Sequence, residues 1–151
     1  MRIILFSLAL TFVLAGCKDA TPAAATEPAP AEKAAPSEPE AEPAPISEIS
    51  VEAADEAIQS GAVAVDANSE KTRKKHGTVP DAVILTSSYK YEMAQLPEDK
   101  SKDLIFYCSN TNCTASDAAA ERAFSNGYAS VHIMREGIKG WKAAGKPTTP
   151  Y

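Results

Sequence analysis

The chain predicts a doubly wound α/β domain: a parallel sheet with helices on both faces. Apolar runs at Ala62–Val65 (ending at Asp66), Ala82–Leu85, Leu104–Tyr107 and Val131–Met134 lack polar alternation, which marks strands buried on both faces. Helical stretches separate several of them, and right-handed crossovers then place helices on either side of the sheet. Polar, charged or glycine-containing segments bound each run, as expected at the ends of buried strands.

Taken in order, Ser50 caps a helix over Val51–Ser60, with Ala54 and Ile58 on one face and Gly61 as its stop. The strand ending at Asp66 follows. Next comes the cationic run Lys71, Arg73, Lys74, Lys75 and His76, expected to be a solvated helix face, with attraction of anionic ligands toward a nearby pocket as the alternative. A short helix is expected over Tyr89–Leu96. A longer one begins at Thr114 and ends at Asn126-Gly127, and another short one covers Ile138–Ala144.

The most informative stretch is Cys108-Ser109-Asn110-Thr111-Asn112-Cys113, between the Leu104–Tyr107 strand and the long helix. Ligands of open α/β sheets bind beyond the carboxyl ends of the strands. A cysteine there, in a loop feeding a helix, can receive loop N–H groups at its sulfur, and the helix dipole favours thiolate over thiol. Cys108 is therefore the candidate nucleophile, with backbone N–H groups from Ser109 to Cys113 around it. Two alternatives stay open: a structural cysteine, or a Cys108–Cys113 disulfide.

Ahead of the domain, Met1-Arg2, the apolar run Ile3–Val13 and Leu14-Ala15-Gly16-Cys17 have the form of a secretory signal. Leu-Ala-Gly-Cys resembles the lipobox of bacterial lipoproteins, which implies cleavage after residue 16 and lipidation of Cys17. The run is too short for a permanent span, whereas a multi-chain lipid anchor holds stably. The expectation is an exported protein tethered to a bacterial membrane, facing the periplasm or the exterior. Lys18 leans toward the outer membrane where one exists.

Residues 17–45 form the lipidated end and a linker. Residues 18–45 hold seven of the eleven prolines and no aromatic or branched aliphatic side chain, so they cannot build a core. They carry two basic and six acidic residues, against twelve and fourteen in 46–151. The nearly neutral domain and the export signal argue against nucleic acid as a partner.

Residues 46–151 make one domain, and about residues 47 to 148 resemble the rhodanese family of sulfurtransferases. The resemblance rests on Val63-Ala64-Val65-Asp66, on Gly77-Thr78-Val79-Pro80-Asp81-Ala82, and on Leu96-Pro97 leading to Ile105-Phe106-Tyr107-Cys108. It also rests on Gly127-Tyr128, Gly137-Ile138-Lys139-Gly140-Trp141 and Ala144-Gly145-Lys146-Pro147. Three positions depart from the family pattern: Asn68 stands where Arg is usual, Thr78 where His is usual (with His76 nearby), and Cys113 where a basic residue is frequent. Thr114 in place of an Arg argues against a phosphatase-like loop.

The resemblance implies transfer of a sulfane sulfur from a small anionic donor such as thiosulfate to a thiol or cyanide, through a Cys108 persulfide. No cofactor is implied. The alternatives are a thiol/disulfide redox protein using Cys108 with Cys113 as resolving thiol, and a non-catalytic binding module. Asp66 is a support residue or a catalytic one, Trp141 is expected to pack on the sheet, and Arg122 is expected at the surface. Arg135 is within possible reach of the site, and His132 lacks the partners for a metal site. A monomer is the default.

Overall fold

The computed structural model describes residues 46–151; the signal segment, Cys17 and the linker lie outside the described residues. The described chain runs β1 (Ser47–Ile49), α1 (Val51–Gln59), β2 (Val63–Asp66), α2 (Glu70–His76) and β3 (Val83–Ile84). It continues through β4 (Asp103–Tyr107), α3 (Ala115–Ser125), β5 (Ser130–Met134) and α4 (Gly137–Ala143). The sheet order is β1-β5-β4-β2-β3, with every pair parallel. This is the predicted doubly wound arrangement.

Central β4 shows why its apolar run does not alternate with polar residues. Leu104 and Phe106 face a cluster with Ala119, Ala120 and Ala123 of α3. Ile105 and Tyr107 face the opposite cluster, with Val51 and Ala54 of α1 and Ile138 and Trp141 of α4. Both sides of the strand are covered, so both sides must be apolar. Small alanines on α3 let the helix lie close against the sheet. Trp141 is buried as expected, and its indole N–H donates to the Pro147 carbonyl at 2.7 Å.

Ser50 caps α1 as predicted, its hydroxyl accepting from the Ala53 N–H at 3.2 Å. Three expectations need correction. The segment Tyr89–Leu96 is not a helix; only Met93–Gln95 forms a short 3-10 turn. The Ser87 hydroxyl takes the N–H groups of Tyr89 and Lys90, and Tyr91 is drawn into the core, donating to the Ala119 carbonyl at 2.7 Å. The edge strand β1 was not foreseen, because three residues pairing with β5 leave no periodic signal.

The third correction concerns the cationic run. It does form a helix, and Lys71, Lys74 and Lys75 are exposed, but Arg73 is 5 % exposed. Its Nε donates to Asp66 Oδ1 at 3.1 Å, and its NH2 to the carbonyls of Asp66 and Leu85. Asp66 is fully buried. Its Oδ1 also accepts from the Asn68 N–H at 2.7 Å, and its Oδ2 from the Tyr107 hydroxyl at 2.7 Å. Tyr107 stands opposite Asp66 in the β2–β4 register, and its oxygen in turn accepts from the Val79 N–H at 3.0 Å. Burial, with the Asp66 charge second, pushes the Tyr107 phenol far above its ordinary range, so it stays a donor.

Removing one member of a buried ion pair strands the other charge. Arg73→Ala is expected to cost about 3–5 kcal/mol, measured by urea unfolding. A loss under about 1 kcal/mol, the range of exposed pairs, would show that Asp66 does not depend on it.

Candidate functional site

Cys108 directly follows Tyr107, at the carboxyl end of β4. The loop it opens is held from behind by α4. The Ile138 N–H donates to the Cys108 carbonyl at 2.9 Å and the Lys139 N–H to the Ser109 carbonyl at 3.2 Å. Gly137 makes this approach possible. Its φ is +61°, and a Cβ there would sit 2.4 Å from the Cys108 carbonyl oxygen and 2.8 Å from the Ser109 carbonyl carbon.

The loop then curls back on itself. The Asn110 side-chain oxygen accepts from the Asn112 N–H at 3.1 Å, and the Asn110 carbonyl accepts from the Cys113 N–H at 3.0 Å. This returns Cys113 to Cys108, and the two are joined by a disulfide with Cα atoms 6.1 Å apart, within the usual span for such a bond. In this closed loop the N–H groups of Asn112 and Cys113 are engaged inside the loop itself. Cys108 is 4 % exposed and Cys113 is half-buried.

Both sulfur-bearing residues, with Ser109, line a pocket of about 390 Å³. Its other wall comes from Asn68, Ser69 and Thr72 after β2, and from Thr86, Ser87 and Ser88 after β3. The pocket therefore lies beyond the carboxyl ends of three neighbouring strands, where the fold class places ligands. None of the described residues lining it carries a charge. The Asn68 side chain is buried at its edge, and neither its Nδ2 nor its Oδ1 has a hydrogen-bond partner among the described residues. A roomier groove of about 460 Å³ lies elsewhere, against Ile58, Val79, Pro80 and Trp141, and no thiol lines it among the described residues.

The remaining candidates fall outside the pocket. Asp66 has no accessible surface and supports the carboxyl end of β4 through Tyr107. Arg135 is held by both carboxylate oxygens of Asp117 at 2.8 Å and by Glu48 at 3.0 Å. Arg122 lies over the Tyr91 ring and donates to its carbonyl. His132 hydrogen-bonds Ser47 and Ser130. His76 does not line the pocket; burial first, then Lys75, Lys139 and Lys142, hold its imidazole below the usual range. The hydroxyl wall from Ser69 to Ser88 was missed, since serines and threonines in loops give no periodic signal.

A strand-end cysteine in a loop leading into a helix, facing a polar pocket, defines a class of thiol-centred α/β domains. The chain belongs to the rhodanese-like domain family, whose model matches residues 50–144. No curated protein matches it. Among solved structures it is similar to a Rhodopseudomonas palustris protein of unknown function described as a possible tyrosine phosphatase. That pair shares 22% identity over 69% of this chain and 85% of that one, with a TM-score of 0.55. A rhodanese-like domain from Anabaena sp. is 20% identical over 69% of this chain and 79% of its own, TM-score 0.56. A thiosulfate sulfurtransferase from Pseudomonas aeruginosa is 18% identical over 69% of this chain and 20% of its own, TM-score 0.55. These likenesses establish a shared fold.

Gly137→Ala adds both a positive-φ penalty and a clash, for an expected loss of about 2–4 kcal/mol in urea unfolding. Gly145 has φ +73° with nothing within 4 Å of a Cβ, so Gly145→Ala should lose only about 1–2 kcal/mol. Equal losses would deny the close packing of α4 on the loop.

The depressed His76 makes the folded state bind its proton more weakly than the unfolded chain, whose imidazole titrates near 6.5. Its contribution is thus intact above about pH 6.5 and lost as pH falls through the lower folded value. Thermal midpoints should decline on acidification from about pH 6.5, and His76→Gln should flatten that decline. An identical slope in the variant would contradict this.

Proposed function

We propose that the protein is a sulfurtransferase that carries a sulfane sulfur on Cys108. The supporting observation is the placement of Cys108: it directly follows the central strand, its carbonyl is gripped by α4, and it lines a polar pocket large enough for a small sulfur donor. In the reduced protein the Cys108 thiolate attacks the outer sulfur of a donor such as thiosulfate. The S–S bond of the donor breaks, sulfite leaves with the electron pair, and a persulfide remains. A thiol or cyanide then removes the outer sulfur and restores the thiolate. Loop N–H groups without an internal bond among the described residues, at Ser109, Asn110 and Thr111, are the candidates to steady anionic sulfur. Hydroxyls on the facing wall offer further donors, and the uncharged lining suits a donor held by hydrogen bonds instead of ion pairs.

The Cys108–Cys113 bond supports a second reading, a thiol/disulfide exchange protein in which Cys113 resolves whatever forms on Cys108. Under either reading, the protein works outside the cytoplasm as a monomer tethered through lipidated Cys17.

The readings separate by mutation. With thiosulfate and cyanide, Cys108→Ala should abolish thiocyanate formation, a fall of at least about 10³-fold as for loss of a covalent nucleophile. Cys113→Ser should retain it, because that thiol takes no part in transfer to cyanide. Loss of turnover in both variants would favour the exchange protein.

A further inference from the structure

The two cysteines are placed for more than storage. Attack by a second thiol on a persulfide has two outcomes, decided by which sulfur is struck. Attack on the outer sulfur hands it on. Attack on the inner sulfur, Cys108 Sγ, forms a disulfide and expels the outer sulfur as hydrosulfide. In this structure Cys113 Sγ is bonded to Cys108 Sγ itself, so the loop brings Cys113 to the inner sulfur. The turn built by Asn110 holds it there through the Asn112 and Cys113 N–H groups.

Resting on the persulfide reading above, we infer that Cys113 ends the cycle by striking the inner sulfur, making the protein a dithiol-dependent hydrosulfide-releasing enzyme. In the balanced step, the Cys113 thiol loses its proton and its sulfur bonds to Cys108 Sγ. The Cys108 Sγ–outer sulfur bond breaks, and the outer sulfur departs with the electron pair and that proton as hydrosulfide. Hydrosulfide is the conjugate base of a stronger acid than an alkyl thiol, and the lower-pKa sulfur leaves faster. The disulfide left behind is the bond seen here.

Resetting it requires an external dithiol. One of its thiolates attacks the disulfide, its second thiol completes the exchange, and both cysteines return reduced while the dithiol becomes a cyclic disulfide. Over a full turn, thiosulfate and a dithiol yield sulfite, hydrogen sulfide and the oxidised dithiol. Half-buried Cys113 is the more accessible sulfur for that reductant.

The test uses fully reduced protein, freed of reductant and mixed with thiosulfate. Wild type should release sulfite and sulfide in equal amounts and finish as the intramolecular disulfide. Cys113→Ser should release sulfite, keep the added sulfur as a persulfide, and yield at least about tenfold less sulfide; Cys113→Ala should match it, which guards against a folding defect peculiar to one variant. A wild type that keeps its persulfide as long as Cys113→Ser does, without sulfide, overturns the inference and leaves sulfur transfer standing. Absence of sulfite and of added sulfur in every form overturns both.

Discussion

The buried carboxylate of Asp66 is the constraint on which the site depends. Its two oxygens collect the Asn68 N–H, the Arg73 guanidinium and the Tyr107 hydroxyl, joining the ends of β2 and β4 to α2. A carboxylate with no accessible surface is tolerable only when its charge is paired and its lone pairs are filled. Arg73 meets that need and also takes the Leu85 carbonyl just after β3. One charge therefore sets the relative positions of three strand ends. Cys108 is the next residue after Tyr107, so the candidate nucleophile inherits its position from an ion pair it never touches.

Above that foundation, the loop is fixed by backbone more than by side chains. Two N–H groups of α4 grip its first two carbonyls, and Gly137 lets the helix come within contact distance. The loop's far end folds onto Asn110. A six-residue segment pinned at its root and curled at its tip has little freedom, and the outcome is a short path between two sulfurs. Oxyanion-type stabilisation needs unoccupied donors, and the curl engages the Asn112 and Cys113 N–H groups while Ser109, which lines the pocket, keeps its own unbonded among the described residues. Opening of the disulfide breaks neither the grip of α4 on Cys108 nor the Asn110 turn that carries Cys113.

Much of this was legible in sequence because it is local. An apolar run followed by cysteine, small polar residues and a helix places Cys108 without any knowledge of the tertiary structure, and the motif order from Val63 to Pro147 specifies the family. Arg73 was not legible: amid Lys71, Lys74 and Lys75 it reads as one more surface cation, and only packing shows that its side chain turns inward to Asp66. The pocket wall was equally hidden, since Asn68, Ser69, Thr86 and Ser87 meet Cys108 only after three strands align. Asn68 marks a departure from the family pattern; its side chain is buried without a hydrogen-bond partner among the described residues, while the guanidinium beside Asp66 comes from α2. Short β1 and the irregular Tyr89–Leu96 segment depend on pairing with β5 and on burial of Tyr91, both non-local.

In the proposed chemistry Cys108, and no other group, receives sulfur from the donor. The most direct measurement is a single-turnover reaction of reduced protein with thiosulfate labelled in its outer sulfur, quenched rapidly and mapped by peptide. Label should appear first on Cys108, as a persulfide removable by reduction. Label found first on Cys113, or on neither cysteine, would contradict it.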